Sequence, residues 1–524
     1  MRPPAAARRP DRTHLALRLC AIVALVFVVY GHTATFVFAY LDDDILIADN
    51  QDLLSRPGSL WTAFARPYFP QARRDHTYYR PIVNASFAAD ARWAGADPRG
   101  YHVTNVLLHA AVAALLFLLL RRLGYRDGVA FFGGLLFAVH PALTETVAWI
   151  PGRNDSLLAL LGILAWLWLS RSASVAAKIG HLVALLGALL TKETAFILPA
   201  VYLMYLRAWE RQPWRQILRP WLLGGWVAVF TIALAARAVV VASVAAATAT
   251  AHTGFAGAGG LSLMRAIDTG LPLVLGGLGK LLLPVHLSVL AIPEDTPLWP
   301  GAIAAAAMVA LAWAAPRRLP GARRARLLFG AACMFAFLLP GLPASNLLIL
   351  ENRLYLPAVG IVVMLCELAG ALTWPARAKF AVAGALIALG AGTTVAYAAN
   401  FRDRLIFAEA AVRQSPHSSL AHRNLGVTYQ LSGHVDDARR EYQAALAEDA
   451  GEPVAHNNLG VLFMAERRLP EAELELREEL RLNPTYVPAH RNLAKVLRAL
   501  GRDDEARLHW QATLKGNPGD ADAL

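Results

Sequence analysis

Three consecutive carboxylates, Asp42, Asp43 and Asp44, follow directly on an apolar run long enough to cross a membrane, in the stretch YLDDDI at residues 40–45. Each would cost about 2.5–3.5 kcal/mol at a bilayer centre, so the triplet belongs at a water boundary. There it reads in two ways, as solvated charges that end a span or as carboxylates facing a cavity. A second cluster, HPALTETVAWIPGRNDS at residues 140–156, supplies His140, Glu145, Arg153 and Asp155. Taken singly, His140 before Pro141 could simply shape a helix, and Asn154, Asp155 or Ser156 could cap the next one. TKET contributes Lys192 and Glu193, and ENRLYLP contributes Glu351 and Arg353. A snorkelling lysine and a Glu351–Arg353 pair are the plain alternatives there. YYRP and GYHVTN add Arg80 and His102 to a loop of about 60 residues, which is long for a mere connection. Asn84-Ala-Ser86 and Asn154-Asp-Ser156 match a glycosylation sequon, a pattern short enough to arise by chance.

These clusters sit between elements that the composition identifies. The 524 residues are 56% hydrophobic and 17% charged, against about 45–50% apolar and roughly 25% charged in soluble domains. Residues 1–400 alternate long apolar runs with short charged breaks, whereas 401–524 are polar, so a membrane domain precedes a soluble one. The net charge of +12 lies largely in short clusters between apolar runs. That pattern sets membrane orientation and gives no reason to expect a nucleic-acid partner. Cys20, Cys333 and Cys366 fall inside apolar runs, where packing is the expected role, and no disulfide framework or metal cluster is implied.

The basic start MRPPAAARRPDRTHLALR has no small-residue cleavage site after its apolar run, so it reads as an anchored first span. Apolar runs near 16–39, 103–120, 129–149, 156–170, 178–191, 194–206, 221–243, 300–315, 327–343, 354–373 and 380–399 are expected spans. Positive loops stay inside only if residues 266–283 make no net crossing, as an interfacial or re-entrant piece. The expectation is then eleven spans, amino terminus inside and carboxyl terminus outside. The outer face would collect residues 40–102, 149–155, 191–194, 244–299, 344–353 and the soluble tail, and with them every polar cluster named above.

The tail is a repeat. Leu425-Gly426, Leu459-Gly460 and Leu493-Ala494 recur at a spacing of 34, as do Tyr429, Phe463 and Leu497. Ala438, Ala472 and Ala506 keep that register, Tyr442, Leu476 and Trp510 follow four positions on, and Pro484 and Pro518 close the last two units. This is the tetratricopeptide period, with units at about 419–452, 453–486 and 487–520 and a partial unit before them. Such helix pairs stack into a curved surface that binds extended chains or other proteins. Asn424, Asn458 and Asn492 recur at one position, where they would either line the groove or stitch helices together.

The fold class is therefore all-α, a polytopic membrane helix bundle followed by a tetratricopeptide α-solenoid. Asp42-Asp43 with Ile47 and Asn50, YRP, GYHVTNVLLHAAV, FAVHPALTETVAWIPGRND, LLTKET, NRLYLPAVG and the repeats together resemble a known family. It is the transmembrane and tetratricopeptide repeat O-mannosyltransferases of the endoplasmic reticulum and their bacterial relatives, which are GT-C glycosyltransferases. Few repeats, short loops and an Ala-rich composition point to a bacterial relative, in an inner membrane with site and repeats periplasmic. In a eukaryote the membrane would be that of the endoplasmic reticulum.

The resemblance implies transfer of a sugar from a polyprenyl-phosphate carrier to an acceptor on the outer face, with a first-loop Asp as base. Asp43 is the first choice and Asp42 the second. Arg80, Arg153, Lys192 and Arg353 are candidate contacts for the departing lipid phosphate. His102, His140, Glu145, Asp155 and Glu351 are candidates for positioning acceptor, sugar or a divalent ion, although no ligand set demands a metal. The expected partners are the lipid-linked donor, membrane lipid and an acceptor protein held by the repeats. A ligase for lipid-linked oligosaccharides is the nearest rival enzyme, and a membrane scaffold working through its repeats is the non-enzymatic one. A transporter would want ionisable groups near the bilayer midplane, whereas these clusters sit at span ends.

Overall fold

A computed structural model describes residues 12–39, 42–69, 78–171, 174–248, 263–338, 351–517 and 519–523. Tyr40 and Leu41 of the acidic stretch, the basic start to residue 11, residues 70–77 of the outer loop, 249–262 and 339–350 of the expected outer face, and Pro518 lie outside the described residues. The described elements are all helical. The chain divides into two compact units, one of residues 1–244, 260–287 and 297–402, the other of 245–259, 288–296 and 403–524.

In the first unit, Thr13–Thr35, Pro98–Arg122, Pro220–Val244, Glu351–Ala371 and Ala376–Phe401 are long and apolar enough to cross a bilayer, as a polytopic membrane protein requires. A sixth crossing results if Asp127–Ala138 and Pro141–Ala148 count as one span, bent by 56° where His140 precedes Pro141. Among the described residues this is fewer than the eleven expected, and part of the difference has a physical origin. The runs at 156–170 and 178–191 fold as Arg153–Leu169 and Val175–Leu189, of 17 and 15 residues. At 1.5 Å per residue they rise about 22–26 Å, short of a hydrocarbon core of ~30 Å. The run at 194–206 is broken into a 3-10 turn, Glu193–Ile197, an α-helix, Leu198–Met204, and a π turn, Tyr205–Trp209. Part of the apolar character here answers burial among other helices, as at Leu158, Ile163, Leu185, Ala188 and Val201, while Val175, Ile179 and Val183 form an exposed apolar face. Residues 266–282 lie on one helix, Leu263–Leu282, with Pro272 inside it, which suits the interfacial alternative better than the re-entrant one.

Small residues let the bundle close. A methyl group added at Gly360 would stand 2.5 Å from the carbonyl oxygen of Gly330, so Tyr355–Ala371 and Gly321–Leu338 pack backbone to backbone.

The second unit is built of helix pairs: Ser419–Leu431 with Val435–Glu448, Ala455–Ala465 with Leu469–Leu482, and Val487–Ala499 with Asp503–Gly516, preceded by Arg404–Gln414. The repeat pattern becomes packing here. A methyl at Gly426 would lie 2.6 Å from the Tyr442 ring, and one at Gly460 would lie 2.7 Å from Leu476, so the small residue makes room for the large one of its own pair. Each pair turns through a left-handed residue at the same register, Gly433, Arg467 and Gly501. Residues 288–296 belong to this unit. Val289 N donates to Gln414 Oε1 at 3.1 Å, and Asp295 accepts from His417 N and Nδ1 at 2.9 and 2.6 Å.

Candidate functional site

The acidic triplet opens a short helix, Asp42–Leu46. Asp43 turns inward and is 1% exposed, and its Oδ1 has no hydrogen-bond partner among the described residues. Asp42 and Asp44 are half-buried and each has interactions of its own. Burial holds the Asp43 carboxyl well above the ordinary carboxylate range. The Ala39 backbone and the Arg153 charge oppose that shift, while Asp42 and Asp44 add to it. The triplet is therefore not uniform, since one of its members is desolvated.

Tyr68 links this helix to the cations. The Arg80 guanidinium stands 4.9 Å over its ring, Asn154 Nδ2 donates to its hydroxyl at 3.0 Å, and the Asp42 charge is within electrostatic reach. Arg80 donates from Nη2 to Glu193 Oε2 at 2.9 Å, and Lys192 Nζ reaches both oxygens of Asp155 at 2.7 Å. Burial would push Glu193 up, but Arg80 and Arg237 hold its carboxyl below the usual range. Lys192 is pulled below the ordinary lysine range by burial, against Asp155 and with the help of Arg80 and Arg353. Arg353, half-buried at the end of a 3-10 turn, Glu351–Leu354, makes no hydrogen bond or ion pair among the described residues. Its charge is within reach of Asp155, Glu145 and Arg80. A small cleft lies beside the acidic helix, lined by Leu46, Leu54, Ser59, Tyr68, Asn84 and Phe87 among others.

Several expected roles change. Arg153 is 0% exposed and committed internally: Nη1 to Asp90 Oδ2 at 2.5 Å, Nε to Asn105 Oδ1 at 2.9 Å and Nη2 to the Tyr101 carbonyl at 2.8 Å. Its donors bridge helices and are not free for a phosphate. His140 accepts from Ala142 N through Nδ1 at 3.3 Å and donates from Nε2 to the Leu281 carbonyl at 2.9 Å, so it shapes the bend rather than meeting a ligand. No side chain caps Arg153–Leu169, whose cap position is Gly152; Asp155 pairs with Lys192 and Asn154 donates to Tyr68. Glu351 pairs with Lys280 at 2.7 Å instead of with Arg353. Glu145 accepts from the backbone amides of Glu351 and Asn352 at 2.7 and 3.0 Å. His102 is buried against Phe36, and neither ring nitrogen has a partner among the described residues.

Tyr68, Asp90, Asn105 and Lys280 carry this architecture without having been singled out. Asp90 in the apolar stretch ASFAADARW was the available signal, since a lone acid there calls for a buried cation. Among the described residues no three of His, Cys, Asp and Glu gather as metal ligands.

In the repeat unit, Asn492 Nδ2 donates to Asn457 Oδ1 at 2.9 Å and Asn457 Nδ2 to Asn458 Oδ1 at 3.3 Å, so of the recurring amides Asn492 stitches neighbouring units while Asn458 accepts within its own. Asn424 is buried, with its Nδ2 unpartnered among the described residues.

A family profile described as tetratricopeptide repeat matches residues 406–453, 428–487 and 459–521. The chain is 38% identical over 149 residues to the protein O-mannosyl-transferase TMTC1 of Mus musculus, covering 27% of this chain and 16% of that protein. It is 40% identical over 152 residues to TMTC2 of Homo sapiens, covering 28% of this chain and 18% of that protein. The matched stretches are thus under a fifth of the length of these relatives. The crystal structure of the APC/C hetero-tetramer Cut9-Hcn1 aligns over 84% of this chain and 88% of its own at 14% identity and a TM-score of 0.23, too low to bear on the fold.

Proposed function

We propose that the chain is a membrane glycosyltransferase that moves a sugar from a polyprenyl-phosphate carrier to a protein hydroxyl. The reading rests above all on Asp43, a buried carboxylate with an oxygen unpartnered among the described residues, joined through Tyr68 to a group of cations of which Arg353 makes no hydrogen bond or ion pair among the described residues. The names of the relatives, protein O-mannosyl-transferases, support transfer to oxygen and make mannose the first donor to try.

In this mechanism the acceptor hydroxyl attacks the anomeric carbon and Asp43 takes its proton as the new C–O bond forms. The bond from that carbon to the carrier phosphate breaks, and the phosphate leaves with the electron pair. A base with a raised pKa removes a hydroxyl proton more readily than an ordinary carboxylate. Arg353 neutralises the charge that grows on the leaving phosphate, while Arg80 and Lys192, paired with Glu193 and Asp155, add donors but little net charge. His102, buried and with neither ring nitrogen hydrogen-bonded to a described residue, is the candidate for positioning the acceptor or sugar.

The site lies on the outer face, periplasmic in a bacterium, and the repeats hold the acceptor protein. Sugar transfer to an acceptor peptide in reconstituted membranes tests the reading. Transfer of a preassembled oligosaccharide but of no single sugar would shift it to a ligase.

A further inference from the structure

HPALTE and ENRLYLP, more than 200 residues apart in the chain, meet through one carboxylate. Glu145 Oε2 receives both backbone amides, from Glu351 and Asn352. Glu145 and Glu351 are 2% and 0% exposed, and Lys280 Nζ holds Glu351 Oε1 from the other side. The His140 bond to the Leu281 carbonyl fixes the helix end that carries Lys280. The first residue of the turn Glu351–Leu354 is thus gripped by two partners and the second by one, and the third is Arg353. A single 3-10 turn has few hydrogen bonds of its own, so outside partners decide where it points. A carboxylate that accepts two backbone amides through one oxygen is well suited to holding backbone.

We infer that Glu145 is a positioning residue which, by clamping the amides of Glu351 and Asn352, aims Arg353 at the phosphate of the lipid-linked donor. This rests on the glycosyl-transfer reading above and assigns the HPALTE motif to donor recognition, not to acceptor or metal binding.

The test is direct binding of a sugar-free polyprenyl phosphate to the purified full chain in detergent, for the unaltered protein, Arg353→Ala, Glu145→Ala, Glu145→Gln and the double variant Glu145→Ala with Arg353→Ala. Glu145→Gln keeps a carbonyl oxygen that can accept both amides and should retain most of the binding. Glu145→Ala should weaken it about tenfold, as Arg353→Ala does, because a hydrogen bond to a charged group is at stake. The double variant should bind no worse than Arg353→Ala alone, since both changes remove one interaction. Additive losses, or Glu145→Ala binding like the unaltered chain, would overturn the clamp. Glu145→Asp covers a failure of Glu145→Ala to fold. It keeps the charge but withdraws the acceptor, so a clamp requires weaker binding than Glu145→Gln, and the reverse order overturns the inference. No binding by the unaltered chain would instead overturn the donor reading, and the inference with it.

Discussion

Asp43 and Arg153 differ in what their burial is for. The Arg153 charge is matched by Asp90 at 2.5 Å, with both side chains almost fully enclosed. Removing one partner of such a pair typically costs about 3–5 kcal/mol, so Arg153→Ala should reduce stability and yield before any kinetic effect can be read. Thermal unfolding of the purified variant checks this, and a stable protein with weakened donor binding would return Arg153 to the phosphate site. Asp43 has a buried oxygen with no partner among the described residues, so its ionised form burdens the fold. Because its folded pKa is raised, the folded state holds its proton more tightly than the unfolded state, and stability falls as pH rises through that window. Asp43→Asn should therefore raise the unfolding temperature at neutral pH while reducing transfer by about 10²–10⁴-fold. Protonated Asp43 cannot act as a base, so transfer in the unaltered chain should rise with pH through a midpoint above the ordinary carboxylate range. A midpoint near 4 or a flat profile would mean another group is the base.

At the scale of elements, the repeats were readable because each 34-residue unit repeats the same packing solution, Gly426 under Tyr442 and Gly460 under Leu476. The spans were less so. Leu198–Met204 is apolar largely because protein surrounds it, and a run buried in protein has the composition of one buried in lipid, whereas Val175–Leu189 buries Ala177, Ala184, Leu185 and Ala188 on one side and exposes Val175, Ile179 and Val183 on the other. Arg467 occupies with φ 62° the turn position that Gly433 and Gly501 take in the flanking units. A left-handed non-glycine residue costs about 1–2 kcal/mol, partly offset by the greater freedom of glycine in the unfolded chain. Arg467→Gly should therefore stabilise the chain by roughly 0.5–1 kcal/mol in denaturant titration, and destabilisation would show that the arginine serves another purpose.

The same register carries a charge pattern. His422 meets Glu441 at 2.7 Å and His456 meets Glu475 at 2.6 Å, but His490 faces His509 at 2.8 Å. The carboxylate partners raise the first two histidines, whose contribution is complete below about 6.5 and fades as pH rises through their folded values. His509 is lowered by burial and by His490, so its neutral form is favoured and the third unit loses stability as pH falls. His509→Glu should stabilise the chain more at pH 5.5 than at pH 8, and equal effects at both would contradict the pairing.

For the whole molecule, the clusters at residues 140–156, 192–193 and 351–353 were visible as unusual charge at run ends, and the structure brings them together in one unit. Which charge neutralises which was not legible, because Arg153 with Asp90 and Glu351 with Lys280 are long-range pairs that no local spacing encodes. Deleting residues 419–524 should impair modification of protein acceptors more than binding of the lipid donor, and equal loss of both would count against a recruiting role for the repeats. The most direct measurement is sugar transfer in proteoliposomes from a panel of radiolabelled polyprenyl-phosphate sugars, with the unaltered chain beside Asp43→Asn and Asp42→Asn. Transfer from one donor, lost in Asp43→Asn and kept in Asp42→Asn while both variants still bind donor, is the expected result. Transfer that survives in Asp43→Asn, or no transfer from any donor by the unaltered chain, would contradict it.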